Sequence, residues 1–229
     1  TSLIPKMLES LSSNQYLKES INFFEIAKTF HKNDQGLPLE KTFLCLGVVG
    51  GSSWPITYQE GQDFYDIKGA LNHIFHHFNL ENVNYKLTQK SVYKEGQSAS
   101  IMFNGEMIGN IGMVNIDISS KFGLKKEVAV AEIDLEKILD LIDEEIIVSP
   151  ISKFQFSSRD ISFIVSKEIL AEDLRHILSG SDKLLQEVEI IDIYSGKPLG
   201  ANEKSLTVRL TIGSFEKTLT DEEVEGVVS

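Results

Sequence analysis

The dipeptide Asn104-Gly105 constrains the fold more than any other feature of the sequence. Both residues tolerate a positive φ, which a two-residue hairpin turn requires, and apolar strand-like runs flank them. Residues 98–103 and 106–114 are therefore predicted to pair as antiparallel strands. An antiparallel sheet with helices packed on it is the expected architecture of this part of the chain.

Periodic apolar residues extend this architecture over the first 150 residues. Helical spacing predicts helices over residues 3–11 and 63–78, the second with a stripe formed by Ile67, Leu71, Ile74, Phe75 and Phe78. Paired strands are predicted over 23–30 and 42–49, with the loop between them marked by Gly36 and Pro38. Further strands are predicted over 83–89 and 128–133, and a closing helix over 135–141.

The remainder of the chain shows a second pattern of strands and helices. Strands are predicted over 161–166, 187–194 and 206–212, with a helix over 170–178. In the last strand, Thr207, Arg209 and Thr211 alternate with apolar residues, so one face is predicted to be core and the other exposed. Thr220 and Glu223 fit a capping box that begins another helix. With one more strand restored, the order β-α-β-β-α-β is that of a ferredoxin-like sandwich with one free sheet face.

We therefore expect an α+β protein of two domains, with the boundary at Ser149-Pro150. Residues 1–150 form the first domain and residues 151–229 the second. The chain opens at Thr1 without a methionine and ends soon after Thr220. We expect a segment of a longer protein, with the second domain truncated at its C-terminus.

Composition limits the functions open to this chain. It carries 22 basic and 34 acidic residues, a net charge of −12, so a nucleic-acid contact would need a local basic patch. The arginines are Arg159, Arg175 and Arg209, all after residue 150. Cys45 lies in an apolar run and is predicted to be a buried structural thiol, which suits a reducing cytoplasm. No membrane-length apolar stretch or leader is evident, so we expect a cytoplasmic protein.

Several local patterns have residue types that could form sites of chemistry, but each has a simpler explanation. His73, His76 and His77 are predicted to lie on a solvated helix face, because no neighbouring pattern completes a metal site. The acidic runs 143–145 and 221–223 are predicted to be exposed helix ends. Gly47, Gly50, Gly51 and the serines after them lack a phosphate-loop fingerprint and predict a flexible turn. No motif pairs a nucleophile with a base, and no metal is predicted.

A polar and aromatic run enters the first strand of the second domain. RNA recognition by a sheet uses aromatic rings that stack on unpaired bases, with Arg or Lys on phosphates. On that basis the candidate RNA-binding residues are Lys153, Phe154, Ser157, Arg159, Lys204 and Arg209, with Lys197 as a further source of charge. A solvated face without ligand is the alternative.

The same residues carry a resemblance to a known family. Ser152-Lys153-Phe154, Arg159-Asp160-Ile161 and the runs 188–196, 204–210 and 218–224 resemble the ferredoxin-fold anticodon-binding domain of phenylalanyl-tRNA synthetase β subunits. Residues 1–5, 24–26, 63–69, 96–99 and 104–112 resemble the class II synthetase-like, non-catalytic module that precedes it in that subunit. The chain departs from the family pattern at Gln155, at Ser158 and at residues 94–97.

The resemblance implies a part of the ligase that charges tRNA(Phe) with phenylalanine and ATP. It implies two partners, the α subunit and the tRNA(Phe) anticodon stem-loop, within a heterotetramer. ATP and magnesium would belong to the whole enzyme, and no cofactor is expected in this segment. Class II activation clamps ATP phosphates with arginines, and residues 1–150 contain none, so no catalytic residue is expected. The alternative is a ferredoxin-like amino-acid-sensing regulatory domain attached to a degenerate enzyme module.

Overall fold

The chain divides into two compact units, Thr1–Ile146 (unit 1) and Ile147–Ser229 (unit 2). The computed structural model describes residues 2–32, 36–50, 62–80, 83–141 and 152–228. The predicted boundary at Ser149-Pro150 lies outside the described residues. None of the helices in these ranges combines the length and apolarity that crossing a bilayer requires.

Unit 1 is a six-stranded antiparallel sheet with helices on it. Its elements are α1 (Ile4–Asn14), β1 (Ile21–Lys32), β2 (Pro38–Val49), α2 (Gln62–His77), β3 (Asn84–Leu87), β4 (Tyr93–Phe103), β5 (Glu106–Val114), α3 (Ile116–Lys121), β6 (Val128–Asp134) and α4 (Leu135–Leu141). The strand order is β1-β2-β6-β5-β4-β3, and every neighbouring pair is antiparallel. The sheet therefore has β1 and β3 at its edges.

The predicted hairpin between β4 and β5 is confirmed. Asn104 and Gly105 have φ of +48° and +83°, and Phe103 pairs with Glu106 across them. Strand β4 begins earlier than predicted, at Tyr93 instead of Ser98. The β4–β5 ladder shifts register between these two residues, and Gly96 has a φ of +71°. The strand therefore contains a β-bulge in a stretch of low strand propensity.

Two clusters of apolar side chains fill the two sides of this sheet. Helix α2 packs with the stripe of residues predicted from its sequence, of which Ile67, Leu71 and Phe75 are fully buried. Helix α1 buries Met7, Leu8 and Leu11 in the second cluster, as its helical spacing predicted. It approaches β2 closely at Gly47, where a Cβ atom would lie 2.7 Å from Met7 Cγ.

Helix α3 was not predicted. It is only six residues long, and Asn115 caps it by accepting a hydrogen bond from the Asp117 amide at 2.9 Å. A helix this short offers too few apolar residues for helical spacing to register. The asparagine cap is the one signal in the sequence that marks it.

Unit 2 is a three-stranded antiparallel sheet with helices on one side. Its elements are β7 (Ser157–Ser166), α5 (Ala171–Ser179), β8 (Leu185–Tyr194), β9 (Glu203–Ile212) and α6 (Asp221–Val228), with strand order β7-β9-β8. Leu206, Val208, Leu210 and Ile212 are buried on the helix-facing side, as the alternation in this strand predicted. The chain is therefore an α+β protein with two antiparallel sheets.

The capping box at the start of α6 is confirmed. The Thr220 amide donates to Glu223 Oε2 at 2.9 Å, and the Glu223 amide donates to Thr220 Oγ1 at 3.3 Å. The Lys217 ammonium beside the carboxylate, followed by the hydrogen bond from the Thr220 amide, lowers the pKa of Glu223. Of the two acidic runs, 221–223 therefore begins a helix, while 143–145 lies outside the described residues.

Candidate nucleic-acid interface

The side of the unit 2 sheet opposite its helices carries polar and exposed side chains. We call this surface the free face and define it by the register of the three strands: Ser158, Asp160, Ser162 and Ile164 of β7, Ser205, Thr207, Arg209 and Thr211 of β9, and Glu187, Glu189, Asp192 and Tyr194 of β8. Alternation along each strand places these residues away from the buried ones. The free face therefore arises because the helices of unit 2 cover only one side of its sheet.

An ion pair crosses the middle of the free face. Asp160, Arg209 and Glu189 are cross-strand neighbours. The Arg209 Nε and Nη2 atoms each donate to one Asp160 carboxylate oxygen at 2.9 Å. This bidentate geometry lowers the pKa of Asp160 and raises that of Arg209. The guanidinium is held in one orientation, and its charge is balanced locally.

A row without charge lies four residues further along β7 and β9. It consists of Ile164, Ser205 and Tyr194, with Ile164 64% and Tyr194 48% exposed. The Tyr194 hydroxyl donates to the Lys197 carbonyl oxygen at 2.8 Å. An exposed aromatic ring with a fixed hydroxyl offers a flat surface on which an unpaired base can stack.

Hydroxyl groups connect the ion pair to this uncharged row. The Ser162 and Thr207 side-chain oxygens lie 2.9 Å apart as a cross-strand hydrogen bond. Hydroxyl groups both donate and accept, so they can bond base edges of either kind. The free face as a whole carries the carboxylates of Asp160, Glu187, Glu189 and Asp192 against the guanidinium of Arg209, and is therefore acidic.

Of the six candidate residues from the sequence, Arg209 lies on the free face. Ser157 and Arg159 lie on the helix-facing side of β7, where they pair with Ile212 and Leu210. The Arg159 Nε atom donates to Glu225 Oε1 of α6 at 3.3 Å.

The other candidates are at the ends of strands. Lys204 is half-buried on the helix-facing side, and its ammonium donates to the Lys167 carbonyl oxygen at 3.1 Å. Lys153 is exposed and Phe154 is half-buried in the segment that enters β7. The structure therefore places Arg209 apart from the other five, and the role of all six in RNA binding stays a prediction.

Tyr194 was not among the predicted site residues, although it lies on the free face. The β8–β9 ladder shifts register between Ile190 and Asp192. This bulge turns the residues that follow it to the opposite side, so the alternation of β8 alone places Tyr194 with the core. The pairing of Tyr194 with Ser205 identifies its position on the free face. This pairing is known only once the register of the two strands is known.

The remaining sequence patterns give no chemistry within the described residues. Cys45 is fully buried, as predicted, and burial with the nearby carboxylates of Glu132 and Glu25 raises the pKa of its thiol. His73, His76 and His77 are exposed on α2. Gly51 and the serines after it lie outside the described residues, whereas Gly47 belongs to β2. In the described ranges no three His, Cys, Asp or Glu side chains are grouped to hold a metal ion.

Comparison with known proteins agrees with the division into two units. A family model described as "Phenylalanyl tRNA synthetase beta chain CLM domain" matches residues 1–135. A second, described as "Ferredoxin-fold anticodon binding domain", matches residues 152–229.

Curated relatives match over the full length of the chain. The phenylalanine–tRNA ligase beta subunit of Syntrophus aciditrophicus (strain SB) is 31% identical over 234 residues, which is 100% of this chain and 29% of that protein. The corresponding subunit of Carboxydothermus hydrogenoformans is 30% identical with the same coverage. The chain therefore spans less than a third of the length of these relatives.

Among solved structures, the pyrrolysyl-tRNA synthetase of Desulfitobacterium hafniense has a TM-score of 0.46 at 18% identity, covering 60% of this chain and 47% of that one. Similarity at this level does not establish a shared function. The first family model, in contrast, matches more than half of the chain. The chain belongs to the family of phenylalanyl-tRNA synthetase beta chains that this model describes.

Proposed function

We propose that this chain is a segment of the β subunit of a phenylalanine–tRNA ligase, in which unit 2 binds the anticodon stem-loop of tRNA(Phe) and unit 1 contacts the α subunit without catalysing. The observation that carries the proposal is the match of residues 152–229 to an anticodon-binding model on a sheet with one free face. Anticodon bases are unpaired, and sheets with a free face bind such bases by stacking and hydrogen bonding. We expect this ligase to act in the cytoplasm.

The topology of each unit supports the proposal. The element order β-α-β-β-α with strand order β7-β9-β8 agrees with the first five elements of a ferredoxin-like β-α-β-β-α-β domain. In that topology a further strand would pair with the open edge of β7. The six-stranded antiparallel sheet of unit 1 agrees with a class II synthetase-like module.

Three groups on the free face would make the RNA contact. The Tyr194 ring would stack on a base, with Ile164 extending the apolar surface beside it. The hydroxyls of Ser162, Ser205 and Thr207 would bond base edges or ribose hydroxyls. Arg209 donates to Asp160 from Nε and Nη2, so its two Nη1 hydrogens and one Nη2 hydrogen would be left for a base edge.

Unit 1 lacks the groups that hold ATP in a class II synthetase. Residues 1–150 contain no arginine, and lysine does not replace a bidentate phosphate clamp. Across the α1 side of the sheet, the cross-strand row Glu25, Cys45, Glu132 and Asn110 contains two carboxylates and no cation. Such a row repels phosphates. We therefore assign ATP and magnesium to other parts of the ligase and no step of activation to this chain.

The α-subunit contact would use the exposed apolar side of the edge strand β1. Phe24, Ile26 and Phe30 alternate along this strand and are 73%, 57% and 52% exposed. A long apolar edge strand is a surface that another chain covers. The expectation is that this chain co-purifies with an α subunit and that Phe24→Asp disrupts the complex.

The RNA contact is tested by measuring the affinity of the 229-residue chain for a tRNA(Phe) anticodon stem-loop. Tyr194→Ala is expected to weaken binding roughly tenfold, since a base–aromatic stack contributes about 1–3 kcal/mol. Tyr194→Phe keeps the ring and should retain most of the affinity. Tyr65→Ala, which removes an exposed tyrosine from unit 1, is the matched control. Equal affinity for Tyr194→Ala and the control would refute the free face as the contact.

A further inference from the structure

A pocket on unit 1 lies between α1, α3 and the sheet. Its volume is about 440 Å³, which is within the range of sites for small molecules. One side is apolar and is formed by Ile4 and Leu8 of α1 with Ile118 and Phe122 from α3 and its end. This wall would accept an apolar body the size of a six-membered ring.

The opposite side of the pocket is polar and contains Asn110 and Glu132, which are cross-strand neighbours. The Glu132 Oε1 atom accepts hydrogen bonds from Ser2 Oγ at 2.8 Å and from the Leu3 amide at 2.6 Å. These bonds fix the carboxylate at the start of α1. The second oxygen, Oε2, accepts no hydrogen bond from the described part of the chain.

Tyr93 lines the same pocket and has an unusual environment. Its side chain is only 4% exposed, and its hydroxyl has no hydrogen-bond partner among the described residues. The ring packs over Gly112, where a Cβ atom would lie 2.6 Å from it. Burial and the negative charge of Glu132 raise the pKa of the hydroxyl, which stays protonated. Burying a hydroxyl without a partner costs free energy, and a ligand that reached it would recover that cost.

We propose that this pocket binds a small organic cation, with its ammonium group on the Glu132 carboxylate and the Tyr93 hydroxyl oxygen and its apolar body against Ile4, Leu8, Ile118 and Phe122. An ammonium supplies the donors that a carboxylate and a hydroxyl oxygen can accept. Lys90 is the other charged residue lining the pocket, and it is solvent-exposed, so water screens its repulsion. The site is independent of RNA binding and of the β1 surface.

The test compares two ligands of nearly equal shape by titration calorimetry of the 229-residue chain at neutral pH. The probes are 2-cyclohexylethylamine, which is cationic, and 2-cyclohexylethanol, which is neutral. The amine is expected to bind roughly tenfold more tightly than the alcohol, because a hydrogen bond to a charged group is worth more than a neutral one. Equal affinity of the two probes, or no binding of the amine in the millimolar range, would overturn the proposal.

Two variants then locate the site. Glu132→Gln keeps an oxygen that can cap α1 but removes the charge, so it should abolish the preference for the amine. Tyr93→Phe removes a hydroxyl that has no partner among the described residues, so this variant should fold normally. Its affinity for the amine should be severalfold lower. Glu136→Gln is the matched control, since Glu136 also accepts a backbone amide, that of Thr42 at 2.9 Å, but lies outside the pocket. A preference for the amine that survives in Glu132→Gln would also overturn the proposal.

Discussion

Arg159 of β7 and Arg209 of β9 lie on adjacent strands of one sheet, but their side chains lie on opposite faces. Arg209 stands on the free face and is held by Asp160, whereas Arg159 stands on the helix-facing side and contacts Glu225. In β7 the consecutive apolar residues Phe163, Ile164 and Val165 hide the alternation, so the face of Arg159 could not be read from the sequence. The alternation of β9 is clean, and the exposed position of Arg209 was predicted correctly.

The two arginines give a direct comparison for RNA binding. Arg209→Ala removes an oriented donor from the free face and should weaken anticodon stem-loop binding roughly tenfold, within the range of about 1–3 kcal/mol for a bidentate base contact. Arg159→Ala should leave the affinity nearly unchanged. Fluorescence anisotropy with labelled stem-loop measures both. The reverse order of effects would move the contact to the helix-facing side and the segment that enters β7.

The ion pair between Asp160 and Arg209 predicts how stability and the pKa of Asp160 depend on pH and on Arg209. Its folded-state pKa is lowered by Arg209, so the pair contributes stability above the ordinary aspartate pKa of about 3.9 and loses that contribution as pH falls through the folded-state value. Carboxyl ¹³C NMR titration should therefore give Asp160 a lower pKa in the wild-type chain than in Arg209→Ala. The same pKa in both proteins would show that the ion pair does not form in solution.

At the scale of elements, strong local patterns predicted most of what the structure contains. The hairpin at Asn104-Gly105, the α2 stripe and the α6 capping box all depend on residues close in sequence, and all are present. The features that sequence reasoning missed depend on pairing with distant strands. The start of β4 at Tyr93 requires Val114 as its partner, and the position of Tyr194 on the free face requires a bulge against β9.

Close packing of α1 on β2 can be tested at Gly47. A Cβ atom there would meet Met7 and Leu11, which are fully buried and have little room to move, so Gly47→Ala should destabilise the chain by about 1–3 kcal/mol. Gly69→Ala in α2 is the control, because nothing lies within 4 Å of its Cβ position. That control should gain roughly 0.5–1 kcal/mol from helix propensity. Urea unfolding distinguishes the two, and equal effects would contradict the packing.

The capping box at the start of α6 predicts a smaller loss of stability when its threonine is replaced. Thr220→Ala removes the side chain that accepts from the Glu223 amide and should cost about 1 kcal/mol of stability in urea unfolding. Thr218→Ala is a suitable control, since Thr218 is exposed and precedes the helix. If Thr220→Ala were no less stable than Thr218→Ala, α6 would not depend on its cap.

At the scale of the whole molecule, charge sets how this chain can bind RNA. A net charge of −12 and an acidic free face leave little general attraction for a polyanion. Binding must come from stacking and from oriented hydrogen bonds, so its salt dependence should be shallow compared with that of a basic RNA-binding protein. Under the proposed function, the α subunit and other parts of such a ligase would add the remaining affinity.

The proposed function requires the free face of unit 2 to contact the anticodon. Amide and methyl chemical shifts of the 229-residue chain, followed during titration with a tRNA(Phe) anticodon stem-loop, test it most directly. The largest shifts are expected on Ile164, Tyr194, Ser205 and Thr207, which lie on the free face. Shifts confined to α5 and α6, or no shifts at all, would contradict it.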